Sequence, residues 1–163
     1  MIGNPEMLAF EIAQPVDASD VLKTIEIWAC GQRVTALDNI AHVSSVAGCA
    51  LWDAQKERNL RKFDHYFSGK SVEEIHAFIL SLRHPDITFE LGDKIWENHQ
   101  ILNWGPNTDN VVSFLVEKEG ITYITLEFSR APEHSPAGAV YKSQTDLAYI
   151  GNTLELFAAQ AAI

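Results

Sequence analysis

The chain is poor in the residues that would staple, anchor or repeat it. Its 163 residues include two cysteines, Cys30 and Cys49, which form no C-x-x-C pair. That excludes a disulfide framework and a zinc ribbon, and both thiols are expected reduced, at least one of them packed as a small hydrophobe. Nine glycines and six prolines are too few for a fibrous or low-complexity chain. No apolar run approaches the ~18 residues of a membrane span. The first fifteen residues carry Glu6 and Glu11 but no Lys or Arg, unlike a secretory signal. A cytoplasmic protein without a membrane partner is the expectation.

Positive charge is also scarce. Twelve Lys and Arg face 22 Asp and Glu, for a formal net charge of −10. Such a chain repels phosphate overall, which argues against DNA, RNA or an anionic bilayer as partner; the acidity either suits a basic partner or serves only to keep the protein in solution.

What remains is ordinary globular material, 47% hydrophobic and 21% charged. A chain of this length buries roughly two thirds of its unfolded surface without staples, and one domain spanning 1–163 is expected. Residues 7–13 alternate, with Leu8, Phe10 and Ile12 on one side, as in a half-buried strand. Residues 22–29 read as a second strand, Gly31-Gln32 as a turn and 33–37 as its hairpin mate. From 41 to 59, Val43, Val46, Ala47, Ala50, Leu51 and Ala54 recur at helical spacing, although Gly48 weakens the helix. Ser71 and Glu74 form a capping box, and the helix behind them buries Ile75, Phe78, Ile79 and Leu82 before Pro85. Residues 87–91 alternate like a strand, and 96–104 read as a further strand. Val111–Glu117 and Ile121–Phe128 form the clearest hairpin, turning through Lys118-Glu119-Gly120. After a Pro-rich connection at 131–138, residues 144–161 place Leu147, Ile150, Leu154, Phe157 and Ala158 on one helical stripe. This order, without regular β–α alternation, predicts an α+β fold in which helices pack on one face of an antiparallel sheet.

Catalytic and cofactor motifs are missing. Gly69-Lys70-Ser71 resembles the end of a phosphate loop, but Asp64 stands where that loop needs glycine. Glu73 and His76 have the spacing of half a di-iron site without its other ligands, and read as solvated helix residues. Asp64 and His65 are adjacent and point different ways, and no G-x-S-x-G supplies a nucleophile. No catalytic residue, metal site or cofactor is assigned, and the chain is expected not to be an enzyme. Lys56, Arg58, Arg61 and Lys62 form a local basic cluster, read either as dipole-complementing cations at a helix end or as a phosphate contact.

The acidic strand residues carry more. With Leu8, Phe10, Ile25, Ile27, Ile124, Leu126 and Phe128 inward, period-two patterning turns Glu11, Glu26, Trp28, Tyr123 and Glu127 outward, with Glu117 nearby. One open sheet face then carries carboxylates among aromatics, either as plain solvated surface or as a partner-binding site where charge steers and aromatics anchor.

Ile2-Gly3-Asn4-Pro5 before the first strand, Phe10-Glu11-Ile12, Trp28, Gly31, Gln32 and Val34 on the hairpin, Asp38-Asn39 after it and the helix from Asp146 to Phe157 cover about a third of the chain. In these residues it resembles the small immunity proteins of bacterial polymorphic-toxin and contact-dependent inhibition systems. The resemblance implies stoichiometric binding and neutralisation of a cognate toxin domain, often a nuclease with a basic groove. A second reading is a small-ligand-binding domain whose pocket lies between sheet and helices, lined by Trp52, Trp96 or Trp104.

Overall fold

A computed structural model describes residues 1–15, 21–83, 90–130, 136 and 138–161. Most of the strand expected at 87–91 and most of the Pro-rich connection at 131–138 lie outside the described residues.

The fold is α+β and antiparallel, as expected, but the described residues form two sheets rather than one. In the first, β1 (Ile2–Asn4), β2 (Leu8–Pro15) and β3 (Leu22–Ala29) run side by side, and the far edge of β3 is shared by β4 (Gln32–Arg33) and β5 (Ile40–His42). The turn between β3 and β4 is Cys30-Gly31, with φ of 53° and 72°, the two positive values a type I′ hairpin requires. Of the expected mate at 33–37 only Arg33 pairs, together with Gln32 from the expected turn, before a 3-10 turn at Val34–Ala36. The helix expected from 41 to 59 forms as α1 (Val43–Gln55).

A 3-10 turn at Leu60–Phe63 and a single turn, α2 (Asp64–Phe67), lead to α3 (Val72–Ser81). Both halves of its capping box are made: Glu74 N–H donates to Ser71 Oγ at 3.1 Å and Ser71 N–H to Glu74 Oε2 at 2.6 Å. Ser71→Ala is expected to cost about 1 kcal/mol, read as a lower urea midpoint at unchanged slope. Leu91 and Trp96, read as strand residues, belong instead to α4 (Glu90–His99). Leu91, Ile95 and His99 recur at helical spacing, and that period prevails over the short alternation before it.

The second sheet is ordered β6 (Gln100–Ile101), β7 (Val111–Lys118), β8 (Ile121–Phe128), β9 (Val140–Thr145). The predicted hairpin is present in full register from Val111↔Phe128 to Lys118↔Ile121. α5 (Leu147–Ala161) closes the chain and buries Ile150, Leu154, Phe157 and Ala158, whereas Leu147 is 40% exposed and off the buried stripe.

Two cores result. The first joins the inner face of the first sheet (Leu8, Phe10, Ile25, Ile27), α1, α5 and one face of the β7–β8 hairpin (Leu115, Ile124, Leu126, Phe128). At its centre Phe10 stacks on Phe157 with centroids 4.3 Å apart and on Trp104 at 5.7 Å. The second core packs the other hairpin face (Phe114, Val116) under Phe63, Phe67, α3 and α4. Cys30 is buried between the sheets, its thiol donating to the Ile124 carbonyl at 3.3 Å, and burial pushes its pKa up to about 12. Cys49 is half-buried, and both cysteines are free.

Candidate partner-binding surface

The outer face of the first sheet is set by pairing. Ala9↔Trp28 and Glu11↔Glu26 stand opposite each other across β2 and β3, alternating with the core pairs Phe10↔Ile27 and Ile12↔Ile25. Thr24↔Ile40 extends the same face onto β5. Glu11, Ala13 and Ile40 are exposed here and Trp28 is half-buried, its Nε1 buried without an acceptor among the described residues. Three of the six predicted residues, Glu11, Glu26 and Trp28, therefore share one solvent-facing surface.

They differ in what they are free to do. Two carboxylates directly opposite would repel, but Glu26 is neutralised locally. Its oxygens accept from Arg33, from Thr35 Oγ1 at 3.0 Å and from Asn39 Nδ2 at 2.7 Å. Burial alone would raise its pKa, and the bonds from Arg33, Asn39 and Thr35 outweigh it and hold the group below its ordinary value. Thr35 Oγ1 in turn accepts from Ile27 N–H at 3.1 Å. Glu26 thus pins the 33–39 segment to β3, with Leu37 and Ile40 exposed at its far end. Glu11 has no hydrogen bond or ion pair among the described residues.

The other three predicted residues lie on the second sheet, and no common open face joins them to the first. Tyr123 and Glu127 point to the face covered by α3 and α4: Tyr123 packs against the second core, and Glu127 Oε2 lies 3.5 Å from His76 Nε2. Glu117 is one residue out of phase with their partners Val116 and Val112 and is ion-paired with Arg61. The sequence did carry the signal. Residues 111–116 (VVSFLV) are apolar on both alternations, the mark of a strand covered on both sides.

His76, read as a solvated helix residue, is fully buried. Thr125 donates its hydroxyl to the Phe114 carbonyl at 3.2 Å and accepts from His76 Nδ1 at 2.8 Å, which leaves the His76 Nε2 lone pair facing Glu127. Burial lowers the pKa of His76 to about 4 and raises that of Glu127. Glu73, its supposed co-ligand, is held instead by Lys142 at 2.6 Å. No cluster of potential metal ligands occurs among the described residues.

The basic cluster disperses as well. Arg58 is buried and paired with Asp53 at 2.8 Å, Arg61 binds Glu117, and Lys62 lies over the Phe63 ring. Asp53, which the sequence did not single out, is the hub of this region: its second oxygen accepts from Leu102 N–H at 3.1 Å and Trp104 Nε1 at 2.8 Å. Beside it a cleft of about 350 Å³ runs between α1 and residues 100–104, with Trp52 and Trp104 in its lining. Trp96, the third tryptophan expected at a pocket, is core.

No family model and no curated protein matches the sequence. Among solved structures, CdiI from Burkholderia dolosa AUO158 superposes with a TM-score of 0.63 over 98% of this chain and 98% of that one, at 13% identity. This chain has the fold of a CdiI protein. The resemblance residues read from the sequence are structural in that fold. A Cβ on Gly3 (φ +85°) would sit 2.3 Å from the Leu8 carbonyl. Tyr149 of α5 closes the same turn, donating to Leu8 O at 2.9 Å and accepting from Asn4 N–H at 2.6 Å. Gly3, Asn4 and the last helix therefore hold the edge of the first sheet onto the CdiI-like core, and Asp38-Asn39 belongs to the segment pinned by Glu26. Among the described residues no helix is long and apolar enough to cross a membrane.

Proposed function

We propose that the protein is an immunity protein, which binds a cognate toxin domain stoichiometrically and neutralises it without catalysis. The observation that carries this reading is the full-length correspondence with CdiI, a contact-dependent growth inhibition immunity protein. The net charge of −10 supports a basic toxin, a nuclease being the case in which an acidic inhibitor mimics the substrate; the proposed site of the encounter is the cytoplasm. Complementary charge accelerates such association and selects the partner.

The outer face of the first sheet is the contact surface in this proposal. Glu11 is its free carboxylate, Trp28 its aromatic anchor, and the exposed Leu37 and Ile40 its apolar margin. Glu26 acts by holding that margin in place. Glu117, Tyr123 and Glu127, ion-paired or covered on the second sheet, are not part of it.

The test is recovery of tagged protein from its host at moderate salt. The expected result is one basic partner at equal stoichiometry, whose toxicity this protein cancels; clean, partner-free protein from cells expressing the neighbouring genes would overturn the proposal. With the toxin in hand, Glu11→Lys combined with Trp28→Ala is expected to weaken binding by ~2–4 kcal/mol, the scale of an interface hot spot. Unchanged affinity removes this face while leaving the immunity function standing.

A further inference from the structure

The cleft along α1 has features that neither the fold nor an immunity role explains. Gly48 and Trp52 line it four residues apart, so they share one stripe of α1, and Lys56, the extended residue that follows the helix, lines it at the end of that stripe. Gly48 sits mid-helix, where glycine is unfavourable. Its φ is not positive, and a Cβ there would meet nothing within 4 Å. Neither backbone nor packing asks for glycine at this position; its effect is to leave space next to the Trp52 indole.

Trp52 is equally idle in the fold. It is 72% exposed, whereas Trp96 and Trp104 are buried and engaged with Phe114 and with Phe10 and Phe157. Trp52 has no ring partner among the described residues. An indole face beside an empty helix position is a stacking platform.

Lys56 completes the stripe. It is half-buried, without a hydrogen bond or ion pair among the described residues. Burial, and then the neighbouring Arg58 charge, lower its pKa against the smaller opposing pull of the Asp53 and Glu97 carboxylates. Both oxygens of nearby Asp53 are already committed to Arg58, Leu102 and Trp104. The ammonium thus feels carboxylates at a distance but has no acceptor in direct contact among the described residues, and an incoming anion would supply one. The side-chain amides of Gln100 and Asn103, also in the lining, have no partners among the described residues and offer further donors. A volume of about 350 Å³ lies at the small end of ligand sites and suits one ring system.

We propose that this cleft binds a small planar anion, an aromatic ring bearing a carboxylate or a phosphate, with the ring against Trp52 over Gly48 and the charged group at Lys56. The site is separate from the sheet face assigned to the toxin and stands whether or not the immunity reading does.

The test is calorimetric titration of the full chain with two matched pairs, benzoate against benzamide and AMP against adenosine, with the emission of the exposed Trp52 as a second readout. The anionic member of at least one pair is expected to bind at least about tenfold more tightly than its neutral counterpart, the worth of one charge-assisted contact. A preference confined to benzoate identifies a carboxylate ligand, and one confined to AMP a phosphate. Lys56→Gln should abolish the charge preference. Gly48→Leu should block binding while the folded state, checked by circular dichroism, persists. The proposal is overturned if neither anion binds more tightly than about 1 mM, if charged and neutral members bind alike, or if Gly48→Leu leaves binding intact. Loss of toxin binding in Lys56→Gln with no probe bound would also overturn it and assign the cleft to the protein partner.

Discussion

Asp53→Ala is expected to destabilise the protein by about 3–5 kcal/mol, the cost of removing one member of a buried ion pair. Side-chain exposure is 4% for Arg58 and 9% for Asp53, so the substitution strands a guanidinium that water cannot reach. It also leaves Trp104 Nε1 and Leu102 N–H without their acceptor, each an unmade buried hydrogen bond. The damage spreads because Trp104 is stacked against Phe10 and Phe157 in the first core. Against a typical total of about 5–15 kcal/mol, that is a large share of the stability. Urea unfolding monitored by circular dichroism measures the loss. Asp53→Asn, which keeps an acceptor but not the charge, should fall between the variant and the parent. A midpoint within error of the parent for Asp53→Ala would show that Asp53 is not the hub described above.

The second large effect is acid destabilisation centred on two histidines. His76 and His99 are fully buried, and burial lowers both pKa values to about 4. His99 donates Nδ1–H to the Leu115 carbonyl at 2.7 Å, and its Nε2 has no partner among the described residues. In the unfolded chain each ring takes a proton near the ordinary 6.5; in the folded chain neither does until about 4. Between those values the unfolded state binds more protons, so stability falls as pH falls through the window and levels off above it. Each histidine is worth about 3 kcal/mol over the full window. Glu127 works in the opposite sense. Its pKa is raised by burial, so the folded state holds this proton to higher pH than the unfolded chain does, and this offsets part of the loss. Urea midpoints measured from pH 7.5 to 4 should decline steeply below 6.5. His99→Gln, which retains a donor for Leu115, should reduce the slope by about one proton. A flat profile across that window would contradict the buried neutral state of these rings.

Both effects arise from residues whose importance was hard to read in the chain. The capping box of α3 and the β7–β8 hairpin were legible because their signals are local: Ser71 and Glu74 three residues apart, and two apolar strands around Glu119-Gly120. β1 and β5, of three residues each, are too short to establish a period. β9 reads VYKSQT, polar like many edge strands, and announces itself in space more than in sequence. Period two correctly assigned Tyr123 and Glu127 to the face opposite Leu126, but alternation fixes only which residues share a side. Whether that side meets water or a helix depends on elements fifty residues away. The same limit hid Asp53, whose partners at 58, 102 and 104 converge only after α1 docks beside β6. For the candidate surface, Glu11, Glu26 and Trp28 were recoverable because β2 and β3 are adjacent and in simple register; residues from a second sheet were not.

The β7–β8 hairpin serves as the common wall of both cores, whereas the first sheet is core on one side only. Substitutions therefore have very unequal freedom. A change on the hairpin is felt in two packed interiors at once, while Glu11, Leu37 or Ile40 can be replaced without touching either. The architecture separates a part that must stay constant from a part that is open to drift, and the outer face of the first sheet can change its chemistry without refounding the fold beneath it.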